Sequence, residues 1–331
     1  MREVTLCKAT QLDQLQEFID CKWRKNHILA KDKKILDFQH KSNGIYNFFI
    51  SRNTQGDING VLGFIPTSQF DNKLIDNSDY WLALWKSDEG APAGTGFALL
   101  RQLEKCFTPK SIGIVGINST VRKIYQTLGY NTGIMNHYYI ANPTITKSLI
   151  GKNLLLLPKS SNYHFPESKL KEITLQDIKN LKTDYYPQKS IAYIKNRYVK
   201  HPYYKYMLYG VYNEDVLGSV IVARTVSVEN NLSMRIIDII GEVNKIHFIG
   251  NDLLNIMKKY NVEYVDCLNY GISSETFENW GFIKKSGDTI IPNYFEPYVC
   301  NNVELLFAYK TSMQDYVIFK GDGDQDRPNI L

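Results

Sequence analysis

Apolar positions along the chain recur with two periods, and the order in which the periods change lays out the elements. Near the start, VTLCK alternates as a half-buried strand does; Leu12, Leu15, Phe18 and Ile19 then follow at helical spacing behind Thr10 and Asp13, a cap pair three residues apart. Residues 46–66, YNFFISRNTQGDINGVLGFIP, hold two strand-like runs around a polar turn. DYWLALWKS reads as a further strand, a helix starts near Thr95, SIGIVGIN is the next strand, and Ser119 to Leu128 is a helix.

The same order returns in the second half. LKEITLQDIKNL sets Thr174 and Asp177 as a cap pair before Leu175, Ile178 and Leu181, 164 residues after the first pair. YMLYGVYNEDVLGSVIVAR reads as a second hairpin, with Gly218 standing 155 residues after Gly63. SMRIIDIIG, NDLLNIMKKY, VEYVDCLNY and SSETFENW then alternate strand and helix, and Gly281-Phe282 lie 152 residues after Gly129-Tyr130. Offsets that shrink in order imply a duplication whose second copy has shorter loops. The fold class predicted is α/β (α+β): two tandem mixed sheets, mostly antiparallel, flanked by helices. The boundaries predicted are a first unit at 1–145, a linker at 146–167 rich in Pro, Ser, Asn and Lys, a second unit at 168–312, and a C-terminal tail at 313–331.

Composition fits this picture. At 331 residues and 44% hydrophobic, the chain can fill two cores. No apolar run reaches the length a bilayer requires, and MREVTLCKAT lacks the apolar stretch of a secretory leader, so a cytoplasmic chain without a membrane span is expected. The five cysteines stand singly, without metal-like spacing, which predicts reduced thiols and no metal. A net charge of +5, dispersed along the chain, suits small anionic molecules better than nucleic acid. The 23 tyrosines serve as amphipathic rings in strands and cores, or as platforms for bases and sugars.

The chemistry concentrates at GAPAGTGFALLRQLEK, 90–105, where Gly94, Thr95 and Gly96 stand at the head of a helix. A helix N-terminus offers N–H groups and the positive end of a dipole to a phosphate, and glycine permits close approach. The other reading is an ordinary strand-to-helix turn. Downstream, Asn118 ends a strand, and Tyr125 stands four residues before Gly129 and Tyr130.

Together these residues resemble the acyl-CoA-dependent N-acyltransferase superfamily, often called GNAT after its acetyltransferases. The fold pattern covers both copies; the motif content is confined to 80–130. The resemblance implies that Gly94, Thr95 and Gly96 take the coenzyme A pyrophosphate. It also implies that the strand carrying Leu84, Trp85 and Lys86 pairs with the pantetheine arm and polarises the thioester carbonyl, beside a splayed strand ending at Asn118. Tyr125 then protonates the departing thiolate, and His27 is the candidate base, ahead of Asp37, His40, Asp88, Glu89 or a water chain. Two departures stand out. Ala91 replaces the usual Arg or Gln, and the second copy has GEVNKIHFIGNDLL and Phe277 in place of the glycine loop and the tyrosine. The second copy is therefore expected not to bind coenzyme A and to shape the acceptor site instead.

For the acceptor, NRYVKHPYYKYMLY offers Arg197 and His201 among tyrosines, either to hold a nucleotide diphosphate or as a solvated helix end. The tail KGDGDQDR places Asp322, Asp324, Asp326 and Arg327 in alternation, which leaves open an exposed terminus, a calcium loop, or an arm in which Asp324, Asp326 and Arg327 meet the acceptor. The expectation is an N-acyltransferase using acetyl-CoA or another acyl-CoA, with no metal. Its acceptor would be a small amine, and resemblance to tandem proteins of bacterial surface-glycan synthesis suggests a nucleotide-linked amino sugar. The alternatives are O-acyl transfer, a coenzyme A-sensing or glycan-binding module without activity, and aminoacyl transfer from tRNA; the last requires a strong basic face and a long helical arm, and neither is evident.

Overall fold

Strands buried on both faces read as near-continuous apolar runs rather than as alternation, and IYNFFISR, MRIIDIIG and VEYVDCLNY are of that kind. In the computed structural model, which describes residues 3–157 and 166–329, they lie inside two mixed sheets of eight strands each. Residues 158–165 of the expected linker and the last two positions of the tail lie outside the described residues.

The first sheet holds β1 (Val4–Lys8), β2 (Lys41–Ser42), β3 (Ile45–Arg52), β4 (Ile58–Pro66), β5 (Asp79–Ser87), β6 (Ser111–Ile117) and β7 (Asn131–Ile134). The second holds β8 (Asn136–Ala141), β9 (Lys169–Ile173), β10 (Met207–Asn213), β11 (Val216–Val228), β12 (Asn231–Gly241), β13 (Val262–Tyr270) and β14 (Ile283–Lys284). β15 (Leu306–Thr311) belongs to the first sheet, and β16 (Ile318–Phe319) to the second.

Strand orders β1-β3-β4-β5-β6-β15-β7 and β9-β10-β11-β12-β13-β8-β14 match position by position. The match requires an exchange. β8 leaves the first unit to pair with β13 and β14, and β15 returns from the second to lie between β6 and β7. The expected boundary between units therefore does not coincide with a boundary between sheets.

Helices flank the sheets: α1 (Leu12–Phe18), α2 (Ile28–Lys31), α3 (Lys33–His40), α4 (Thr95–Phe107) and α5 (Ser119–Thr127) in the first half, α6 (Ile191–Ile194), α7 (Gly250–Tyr260) and α8 (Ser274–Asn279) in the second. Leu99, Leu100 and Leu103 of α4 bury against Phe49, Leu62 and Ile114, whereas Leu253 and Met257 of α7 bury against Ile236 and Val265. One apolar cluster is shared between the sheets, with Ile65, Trp81 and Val115 meeting Val220, Ile237 and Ile240.

Two local expectations are corrected. The first helix is not capped by Thr10 and Asp13; the Lys8 amide donates to Gln11 Oε1 at 2.8 Å, and a short 3-10 turn precedes α1. In the second copy the Thr174–Asp177 box forms, the Thr174 amide and hydroxyl both donating to Asp177 at 2.7 and 2.8 Å, yet only one turn follows. Ile178 turns extended to reach the shared core, which ends the helix there.

The tail is fastened inside the molecule. Lys189, fully buried, lies 2.8 Å from both Asp238 oxygens and 2.9 Å from Asp322, and Tyr198 donates to Asp238 at 2.7 Å. Removing one partner from such a cluster strands the others without solvent. Lys189→Met is expected to cost about 3–5 kcal/mol in urea unfolding; a loss under about 1 kcal/mol would mean that the cluster behaves like a surface pair.

Candidate functional site

β5 and β6 run parallel and pair only from Asp79↔Ser111 to Leu82↔Ile114. Past that point β5 stays with β4, through Leu84↔Gly63, Trp85↔Leu62 and Lys86↔Val61, whereas β6 stays with β15. β6 bends because Gly116, at φ 86°, is an extra residue opposite the Leu306–Phe307 step of β15. The strands thus diverge into a wedge.

At its open end stands the N-terminus of α4. Gly94 is left-handed at φ 82°, and a Cβ there would meet nothing within 4 Å, so the backbone is open to close approach. Thr95 donates its hydroxyl to Pro92 O at 2.7 Å, closing the turn, and Trp85 Nε1 donates to Gly96 O at 3.0 Å, tying strand to helix. The Trp85 ring lies 5.4 Å from that of Tyr125, which lies 5.0 Å from Tyr130. Leu84, Trp85, Lys86, Gly94, Thr95, Gly96 and Tyr125 are thereby brought around one wedge. Leu84 is buried, so only its backbone can serve a ligand. Tyr125 is buried too, and burial pushes its hydroxyl pKa well above the ordinary range. Asn118 is occupied otherwise: its Oδ1 accepts from Val121 N at 2.8 Å and caps α5.

The second sheet has the matching wedge, and the chain fills it. β12 and β13 pair in parallel as far as Ile236↔Cys267; β16 then pairs antiparallel with β13, Asn269↔Phe319 and Tyr270↔Ile318. On the other side the Gly321 amide donates to Ile237 O at 2.8 Å. Phe277, where the first copy has Tyr125, stacks on Tyr138 at 4.0 Å and 2°.

An exposed terminus is overturned by this burial, with Asp322 at 0%, Asp324 at 4% and Asp326 at 4% exposure. A calcium loop needs convergent carboxylates; these three face different cations, Lys189, Arg327 and Arg224 respectively. Arg197, expected to hold the acceptor, donates instead to Gly321 O and to Gly323 O, and its burial makes it a clamp on the tail. His201 accepts the Tyr204 amide at 2.9 Å and borders a small internal cavity beside Asp326 and Tyr206, with burial lowering its pKa to about 4. Asp326 is taken up by Arg224 at 2.8 Å and Tyr206 at 2.6 Å. Of the expected acceptor residues, Asp324 and Arg327 alone line the main cleft.

That cleft, about 470 Å³, runs between the tail, the segment before α2 and the 293–297 loop, and reaches the wedge at Gly116. There Gln325 Nε2 donates to Val115 O at 2.9 Å. His27 lines it, but burial, with Arg327 and Arg24 nearby, lowers its pKa to about 3. The ground for choosing it as a base, titration near working pH, is thus removed. Leu29 N and Arg327 Nη2 face its two ring nitrogens at 3.2 and 3.0 Å, and a neutral imidazole has one lone pair to offer them.

Sequence reasoning missed the cleft's own cations, Lys320 and Arg224. Lys320 is 4% exposed, lines the cleft, and makes no hydrogen bond or ion pair among the described residues. Burial, reinforced by Arg235 and Arg224, lowers its pKa from 10.5 to about 7. The signal available was Lys320 opening KGDGDQDR and Arg224 closing the apolar run VIVAR, each a charge where burial is otherwise expected.

No protein-family model matches the sequence, and no curated protein matches it. Solved structures do match. A GCN5-related N-acetyltransferase from Anabaena variabilis is 12% identical, with 94% of this chain and 72% of that one covered and a TM-score of 0.56. A conserved protein of unknown function from Enterococcus faecalis, described as a probable N-acyltransferase, is 8% identical over 94% of this chain and 73% of its own, TM-score 0.51. The glucosamine N-acetyltransferase region of a fungal multi-domain β-N-acetylglucosaminidase is 11% identical over 94% of this chain and 38% of that one, TM-score 0.50. At these identities the likeness is one of fold: the chain has the tandem GNAT-like architecture.

The depressed amine generates a stability test. Between pH 7 and 10.5 the unfolded chain binds a proton that the folded chain lacks at Lys320, so wild-type stability rises with pH through that window. Lys320→Met is expected to melt above wild type, with a gap widest at and below pH 7 that closes toward pH 10.5, measured by melting across pH. A gap independent of pH would overturn the assignment.

Proposed function

We propose that the chain is an acyl-CoA-dependent N-acyltransferase in which the first wedge takes the acyl donor and the adjoining cleft takes the acceptor amine. The observation that carries this reading is the contrast between the wedges: the one in the second sheet is filled by β16, and the one beside Gly94 has a glycine-opened helix N-terminus at its mouth. Residues present there fit the donor. The start of α4 suits a pyrophosphate, the unpaired side of β5 beyond Leu82 suits an extended pantetheine arm, and Lys86 lies on the same strand.

In the transfer, the acceptor nitrogen attacks the thioester carbonyl carbon. A C–N bond forms, the C–S bond breaks, the nitrogen loses a proton and the thiolate gains one. A β5 backbone N–H stabilises the carbonyl oxygen as charge develops. Tyr125, kept protonated by burial, donates to the thiolate. The acceptor we favour is a small amino sugar, nucleotide-linked in the fullest form of the proposal: Trp23 and Tyr294 offer rings to a sugar face, and Asp324 and Asn329 offer polar partners for hydroxyls. A second reading, binding of acyl-CoA without transfer, is favoured by Ala91 and by the lowered pKa of His27.

Calorimetric titration with acetyl-CoA is expected to give one site per chain, lost in Gly94→Trp. Tyr125→Phe is expected to bind acetyl-CoA as wild type does and to lower amino-sugar acetylation by at least about a hundredfold. Absence of binding would overturn the proposal, and binding without turnover on any amine would favour the second reading.

A further inference from the structure

Two buried residues that line the cleft carry side-chain donors without an acceptor among the described residues. Lys320 is one. Asn293 is 4% exposed, and its Nδ2 makes no hydrogen bond among the described residues. Its orientation is fixed, because Arg235 Nη1 donates to its Oδ1 at 3.3 Å and to its backbone oxygen at 3.1 Å, which leaves the amide nitrogen turned away. Unpaired N–H donors on two residues that line one cavity favour a ligand that brings acceptors.

The charges around them select its sign. Arg224 is spent on Asp326 and lies over the Tyr204 ring at 4.0 Å; Arg327 is spent on Asp324 at 3.3 Å. Glu296 accepts the Asn329 amide at 3.0 Å and the Tyr204 hydroxyl at 3.2 Å. Lys320 and the exposed rim residue Arg24 have no carboxylate partner among the described residues, and Glu296, bonded only to neutral donors, offsets one of the two charges, so with Lys320 protonated the lining keeps a positive excess. We propose that the cleft contains an anion subsite centred on Lys320 and Asn293, and that the acceptor carries a carboxylate or phosphate group there. Only the word acceptor rests on the acyl-transfer reading; the subsite stands on the cleft itself.

The subsite is coupled to a proton. Lys320 faces Arg224 from β11, Arg235 from β12, Asp266 from β13 and Asp326 from the tail, with His27, Asp324, Glu296 and Arg327 around the cleft. His27 and His137, the latter bonded to Asp266 at 2.6 Å, are held below their ordinary range, and so are Asp266 and Asp326. Near neutrality Lys320 changes charge, and an arriving anion favours its protonated form. Anion binding at pH 8 therefore takes up a proton.

The test is calorimetry on the full chain without acyl-CoA, at pH 8, using sodium sulfate and sodium malonate as probes. Both stay fully ionised, and two buffers of different ionisation heat count the protons. Expected are one site for at least one probe, net proton uptake, and, in Lys320→Met, an affinity lower by at least about tenfold with the uptake abolished. Asn293→Asp, which adds a carboxylate to the same cleft, is expected to lose probe binding as well. Tighter sulfate than malonate identifies a phosphoryl-type group, and the reverse a carboxylate. No binding of either probe, binding without proton uptake, or unchanged affinity in Lys320→Met would each overturn the subsite. If the variant does not fold, the two-buffer measurement on wild type decides alone. Acetyl-CoA is expected to bind Lys320→Met as it binds wild type, so a failure of the anion result and a failure of the donor reading are separable.

Discussion

The Lys189 side chain is buried away from solvent. Its ammonium is held between Asp238 of β12 and Asp322 of the tail, and the path of residues 318–329 is anchored there. A buried cluster of this kind gives back in Coulomb energy roughly what it loses in hydration, so its use is in choosing one arrangement among many. Arg197 reinforces the choice by gripping Gly321 O and Gly323 O. With those points fixed, the next residues have no freedom about where they lie: Lys320, Asp324 and Arg327 line the cleft, and Gln325 reaches the first wedge. The tail thus closes one wedge and furnishes the floor beside the other.

The duplication explains why such a tail has a place to go. Both sheets inherit the same divergence between their parallel strands, after Leu82 in one and after Ile236 in the other. An unfilled divergence exposes backbone N–H and C=O groups, which must find partners. In the second sheet β16 supplies them. Loss of the glycine loop and of the tyrosine there accords with a wedge satisfied from within, since Phe277 is engaged in stacking on Tyr138.

Much of the fold was legible because periodicity reports burial. The hairpins around Gly63 and Gly218 and the helices at Thr95 and Ser274 lie where apolar spacing puts them, whereas the helix expected after Thr174 is a single turn. The exchange of β8 and β15 was not legible, because NHYYIA and LFAYKT read as strands whichever sheet receives them. At the site, the grouping of Gly94, Gly96, Trp85 and Tyr125 was visible as a motif. The burial of Asp322, Asp324 and Asp326 was not, since alternating carboxylates announce solvent unless their cations are known, and Lys189 and Arg224 are distant in sequence. His27 was found for its chemistry but misjudged in its environment, because two arginines and burial are facts of tertiary structure.

The crossed strands also set an order on assembly. β15 pairs with β6, whose residues leave the ribosome almost two hundred positions earlier, and β8 must wait for β13. Until Leu306–Thr311 is synthesised, β6 and β7 have no strand between them, and the first sheet stands incomplete with its apolar edges bare. A chain stalled or cleaved before Leu306 would therefore leave the first sheet without β15 as well as the second without β16. The two copies, separable in their ancestry, have become one folding unit.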